Sequence, residues 1–218
     1  MLKVNHGGNW TTIITAAGAL LAAVTLAVPA TAQTIIDEWA TVKTPEAPKL
    51  KEVTIDPKTM AIISMDFNAA NCVPEKRARC AAQLPKMGKF LTDARAKGVT
   101  IIHTLAGSMK PTDIAKEVAP VGDEKVISSG PDKFIGTDLE KMLKDKGITT
   151  LVALGTAAHG AVLYTASAAA FRGIKVIVPV DGMSSDTAYQ ELAAAYLLSS
   201  APRVSDATTL TKFDMIKF

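Results

Sequence analysis

Asp66 closes the apolar run Thr59-Met-Ala-Ile-Ile-Ser-Met65. A carboxylate at the carboxyl end of a buried parallel strand is partly withdrawn from water and can exchange protons with a bound substrate. Asn68 and Asn71 follow as polar neighbours for the same ligand. A second group of candidates lies in Gly155-Thr-Ala-Ala-His159-Gly160-Ala161, between the apolar run Thr150–Leu154 and the Ala-rich stretch Ala161–Phe171. A strand, a tight Gly-bearing turn and a helix entrance place backbone N–H groups at the edge of a sheet. Ligands of open α/β sheets bind there, and developing negative charge is stabilised there. His159 at this entrance can donate to an anionic substrate or orient water, and Gly160 and Ala161 supply N–H groups. His103, in the strand Val99–Thr104, falls on the same edge, and Lys133 in Gly130-Pro-Asp-Lys133-Phe134 is the candidate cation. Each has a plainer alternative: Asp66 capping a loop, Lys133 on the surface, His159 as a capped structural residue.

The stretch Gly155–Ala166 resembles the nucleophile turn of the isochorismatase-like hydrolases, the cysteine hydrolase superfamily, whose pattern is roughly G-x-x-T-x-x-C-V-x-x-T-A. Gly155, Val162, Thr165 and Ala166 match it, and Ala161 stands where that family usually carries its catalytic cysteine. Ala158-His159-Gly160-Ala161 is similar to the turn of the true isochorismatases, which hydrolyse a vinyl ether and need no thiolate. Ile63-Ser-Met-Asp66-Phe-Asn68 resembles the family's D-x-Q/N signature, which implies an acid/base role for Asp66. Phe134-Ile-Gly-Thr-Asp-Leu139 resembles the segment that follows the family's lysine. Counting back six positions from Phe134 reaches Ser128, so Lys133 is the replacement and Lys125 a weaker one. The resemblance covers roughly Thr59–Ser199. It implies a hydrolase acting on a small organic substrate.

The elements that must position these residues alternate. Pro85–Lys97 carries Met87, Phe90, Leu91 and Ala94 at helical spacing, and Gly98 ends it. Leu105–Lys125 reads as a long loop. Thr137 with Glu140 predicts a capping box opening a helix that Gly147 stops. Strands follow at Thr149–Leu154 and Ile174–Val180, with a long helix over Thr187–Leu198. Thr208–Phe218 reads as a last strand or a packed tail. This alternation predicts a three-layer α/β/α fold around a mostly parallel, Rossmann-like sheet.

Composition narrows the function classes. The chain has 218 residues and a net charge of +3, with no basic block, which argues against nucleic-acid binding. No P-loop, H-E-x-x-H or paired CxxC motif is present, so neither a cofactor nor a metal is expected. Residues 1–32 read as a signal peptide: Lys3, an apolar stretch Ile13–Val28, and Ala30-x-Ala32 before Gln33. Residues 33–57 form an extended lead-in, and the hydrolase domain spans 58–218. Cleavage would leave a periplasmic or secreted protein with no membrane segment. In that compartment Cys72 and Cys80, the only cysteines, are expected to form a disulfide. The partner is a small-molecule substrate, and self-association stays open. Two readings remain. One is an exported hydrolase lacking the catalytic cysteine and using Asp66; the other is a periplasmic small-molecule binding protein that has lost the chemistry.

Overall fold

Apolar runs that alternate with helices become the strands of one parallel sheet. The computed structural model describes residues 34–218, so the signal peptide expected over residues 1–32 and its expected cleavage point lie outside the described residues. Residues 34–44 and 45–218 form two units. The first holds a short helix, α1 (Ile35–Glu38), whose entrance is closed by Thr34 donating to Asp37 Oδ2 from its backbone and hydroxyl at 2.8 and 2.9 Å.

The second unit opens with β1 (Val53–Thr54) and contains β2 (Met60–Met65), β3 (Thr100–Ala106), β4 (Lys125–Ser129), β5 (Thr150–Thr156), β6 (Lys175–Pro179), β7 (Met183–Ser184), β8 (Thr208–Thr211) and β9 (Ile216–Lys217). The main sheet has the order β4-β3-β2-β5-β6-β8, with β7 beside β5, and every pairing is parallel. From β2 the chain steps outward to β4. It then returns to β5 on the other side of β2 and steps outward to β8. The direction reverses between β2 and β5, and such a switch point leaves a crevice beyond the carboxyl ends of the strands.

Side chains alternate across the sheet, as the two-residue strand period demands. Ile62, Ile101, Val152 and Leu154 meet Leu84, Met87, Leu91 and Ala94 of α2 (Pro74–Ala96) on one face. Ile63, Met65, Leu151 and Ala153 meet α3 (Leu139–Asp145), α4 (Leu163–Phe171) and α5 (Ala188–Ser200) on the other. Each fully buried Leu or Ile contributes roughly 1.5–3 kcal/mol by leaving water, so both layers hold the sheet. The fold is therefore three-layer α/β/α. A short α6 (Val204–Ala207) precedes β8.

Several elements differ from the sequence reading. The helix α2 begins at Pro74 instead of Pro85, because a proline in the first turn needs no N–H partner. Most of the Cys72–Cys80 segment is thus helix and not loop, and Pro85 is carried inside. Within the expected loop 105–125, β3 extends to Ala106 and two short 3₁₀ turns follow; β4 then begins at Lys125, at the sheet edge. The capping box at Thr137 does not form. Asp138 is the N-cap, Thr137 donates to the Lys133 carbonyl at 2.6 Å, and Glu140 pairs with Arg172 at 2.8 Å. A capping box forms instead between Thr187 and Gln190 at α5. The boundary at 58 also shifts: β1 pairs with β9, and Lys51 donates to the Leu210 carbonyl, so the fold takes in residues before Lys58.

Candidate active site

Asp66 is the first residue beyond β2, and its backbone is left-handed (φ 61). Few residues other than Gly adopt this conformation, though Asp tolerates it better than most. Neighbours fix it there. Its N–H donates to the Thr104 carbonyl at 3.1 Å, and the Thr104 hydroxyl donates to Oδ1 at 2.8 Å. Lys133 Nζ donates to Oδ1 at 2.9 Å and Oδ2 at 2.7 Å, and also to the Gly130 carbonyl at 3.0 Å. The lysine side chain is 0% exposed and the Asp66 side chain 16%, so the pair stands at the floor of an opening and only its carboxylate meets solvent. A buried charge pair costs much desolvation and persists only where its other hydrogen bonds are made. Thr104 and Gly130 make them here.

Lys133 reaches the carboxylate because its own loop is pinned. Its N–H donates to Thr165 Oγ1 at 3.2 Å, and that hydroxyl also contacts the Pro131 carbonyl at 3.3 Å. Thr165 on α4 is wholly buried. The Thr165-Ala166 part of the helix motif therefore acts at a distance, holding the lysine loop against the helix.

The cleft beyond Asp66 has a volume of about 330 Å³. Its walls come from the ends of four neighbouring strands: Asp66, Asn68 and Asn71 after β2, Gly107 and Met109 after β3, Ser129 and Gly130 at β4, and Thr156, Ala157, Gly160 and Ala161 at the end of β5 and beyond it, with Arg77 reaching in from α2. Gly155 lets β2 and β5 come together at this point, since a Cβ there would lie 2.8 Å from Met65 Cβ and 2.9 Å from its carbonyl oxygen. The peptide between Thr156 and Ala157 is cis, and one turn of π-helix (Ala158–Val162) leads into α4.

The structure brings Asp66, Lys133, Asn68, Asn71, Gly160 and Ala161 to this place, the lysine through its contact with Asp66. Asn68 also serves its own turn, accepting from the Ala70 N–H at 2.8 Å and donating to Met109 Sδ at 3.1 Å. The Gly160 N–H is taken by the Ala157 carbonyl at 3.0 Å, so it is not the open donor that the turn predicted. The two histidines are not among the cleft walls. His159 Nδ1 lies 2.9 Å from Ser185 Oγ, which turns the ring toward β7 and α5. His103 is buried on the α2 side, with Nε2 2.8 Å from Glu124 Oε2, and Glu124 in turn is held by Arg95 at 2.7 Å. Burial holds the His103 ring below its ordinary pKa against the opposing pull of Glu124. Sequence reasoning missed Thr104, Thr165 and Arg77, whose parts depend on contacts between distant segments.

Cys72 and Cys80 are joined in a disulfide with Cα atoms 5.1 Å apart, and no free cysteine remains among the described residues. Among those residues no group of three or more His, Cys, Asp or Glu side chains could hold a metal ion.

The fold has counterparts among known proteins. The family model described as the Isochorismatase domain matches residues 60–210. The chain belongs to the isochorismatase family. No curated protein matches it. Among solved structures of this fold it is similar to an isochorismatase-like hydrolase from Alkaliphilus metalliredigens, with 24% identity, a TM-score of 0.63 and coverage of 72% of this chain and 95% of that one. A cysteine hydrolase from Pseudomonas syringae pv. phaseolicola shares 18% identity at a TM-score of 0.64, covering 77% and 94%. The nicotinamidase of Staphylococcus aureus shares 17% at 0.61, covering 71% and 99%. These identities establish a common isochorismatase-like fold.

Proposed function

We propose that this member of the isochorismatase family is an exported hydrolase that works without a thiol nucleophile, with Asp66 as its acid/base. The observation that carries the proposal is the Asp66–Lys133 pair at 2.7 and 2.9 Å on the floor of the cleft. A protein kept only to bind would have no need of a buried ammonium aimed at a carboxylate that meets solvent. Ala161 lines the same cleft at the helix entrance and offers no sulfur, and both cysteines are consumed in their disulfide. A thioester intermediate is thereby unavailable.

A vinyl ether or a similarly acid-labile bond suits these groups. A proton passes from the Lys133–Asp66 pair to the alkene carbon of the substrate. Water adds to the cationic carbon beside the ether oxygen, and the hemiketal collapses to an alcohol and a carbonyl. The proton that water brought returns to Asp66. One water is consumed and nothing is oxidised.

Export rests on the leader-like pattern of residues 1–32, and the Cys72–Cys80 disulfide supports it because such bonds persist in oxidising compartments. The mature chain would begin at Gln33 in the periplasm or medium, and intact-mass measurement of secreted protein checks this.

The activity test is a panel of small vinyl ethers, esters and amides. Hydrolysis that survives iodoacetamide and falls by on the order of 10²–10⁴ in Asp66→Asn, the usual worth of general acid–base catalysis, is the expected result. Turnover abolished by the alkylator, or full activity in Asp66→Asn, overturns the mechanism. Binding of a small molecule with no hydrolysis across the panel would favour a binding protein.

A further inference from the structure

Two charged side chains line the cleft, and Asp66 is already matched by Lys133. Arg77 is the other. It sits at a break in α2, where the backbone leaves helical geometry (φ −133, ψ 71). The Cys72–Cys80 disulfide closes the turn that carries this break. From there the guanidinium reaches the end of β5: Nη1 donates to Thr156 Oγ1 at 3.2 Å, and Nε lies 3.3 Å from Asp186 Oδ1. A guanidinium has five N–H groups in a planar fork. Among the described residues, Nη2 donates to no protein atom. Asp186 is 54% exposed, so water screens its hold on Arg77 and leaves the cation open to a better partner.

We infer that Arg77 is the carboxylate-recognising residue of this cleft, and that the substrate class is small organic acids whose scissile bond lies beside Asp66. The fork of Arg77 accommodates both oxygens of a carboxylate, which a lysine cannot do. A cleft of about 330 Å³ takes a ring-sized ligand. The disulfide and the Thr156 hydroxyl hold the fork in place before the ligand arrives. The substrate class rests on the hydrolase reading above; the anion site itself does not.

Benzoate and benzamide have the same ring and differ in charge, so they serve as a matched pair of probes. Titration calorimetry of each into the full chain reads the preference directly. Benzoate is expected to bind at least about tenfold more tightly, the value of one charge-assisted hydrogen bond. Arg77→Gln removes that preference, and Arg77→Lys keeps only part of it. Equal binding of the two probes by the native chain, no binding of benzoate, or an Arg77→Gln protein that keeps the native preference overturns the inference. If Arg77→Gln fails to fold, Arg77→Lys decides: a reduced preference supports the fork and an unchanged one overturns it. Asp66→Asn separates the two proposals, because it should keep the benzoate preference while losing hydrolysis.

Discussion

His103 shows how a residue that looks like a ligand contact can instead set the acid limit of the fold. Its ring is 1% exposed, and burial lowers its pKa below the ordinary 6.5 despite the Glu124 carboxylate 2.8 Å away. With the ring neutral, Nε2–H donates to Glu124 and Nδ1 is left without a partner; a proton there would find no acceptor. Burial works to raise Glu124, but hydrogen bonds from Arg95, the Val121 N–H and His103 outweigh it and leave the group below its ordinary 4.5. The signs agree. Below pH 6.5 the unfolded histidine takes up a proton that the folded one refuses, so stability is fully present above that pH and declines beneath it. Glu124 contributes stability above pH 4.5 that is lost as pH falls through its lowered value. Thermal midpoints should therefore fall between pH 7 and pH 5. His103→Gln should flatten the decline that starts near 6.5 and leave the later one in place; a parallel decline in both proteins would refute this assignment. The sequence showed His103 in an apolar strand, but which face it took depended on Glu124 and Arg95, far along the chain. Asp66 was easier to read, because a polar residue ending a continuous apolar run can only emerge at the strand's end. Arg77 was hidden among four charged positions between the cysteines, and nothing in their order says which one turns inward.

At the scale of elements, the site depends on how closely β2 and β5 approach. Gly155→Ala would push a methyl group to within 2.8 Å of Met65 Cβ and 3.2 Å of Val162 Cγ2. Overpacking of this kind costs roughly 1–3 kcal/mol, and here it should also shift Asp66, the next residue along. Denaturant unfolding measures the first effect, and the benzoate titration and rate assay measure the second. An alanine variant with native stability and native rate would show that the approach is not tight. The disulfide acts at the same scale. In the chain-entropy model a loop this short stabilises by about 2–3 kcal/mol, so a Cys72→Ser, Cys80→Ser protein should unfold at lower denaturant and bind benzoate more weakly. Elements with long apolar or helical patterns, such as β5 and α5, were legible because burial on both sides or on one face leaves its period in the sequence. The amino half of α2 was not, since Glu75, Lys76, Arg77 and Arg79 carry no apolar stripe and α2 there is held by ion pairs to Asp186 and Glu191. The edge strand β4 was missed for a related reason: pairing on one side only leaves Lys125, Val126 and Ser128 without a continuous apolar run.

For the molecule as a whole, the alternation of strands and helices was enough to give the layers, because parallel strands must be joined by crossovers that cover both faces. The β1–β9 pair was not foreseeable, being only two residues long on each side. Yet Val53 faces Ile216, and the N–H of the fully buried Ile55 donates to the Lys217 carbonyl at 2.8 Å. This small join makes the lead-in depend on a segment more than 150 residues further along the chain. A protein shortened after Lys212 loses the partners of Val53 and Ile55, so limited proteolysis should cut it around residues 45–57, where the full chain resists; equal resistance of the two proteins would disprove the dependence.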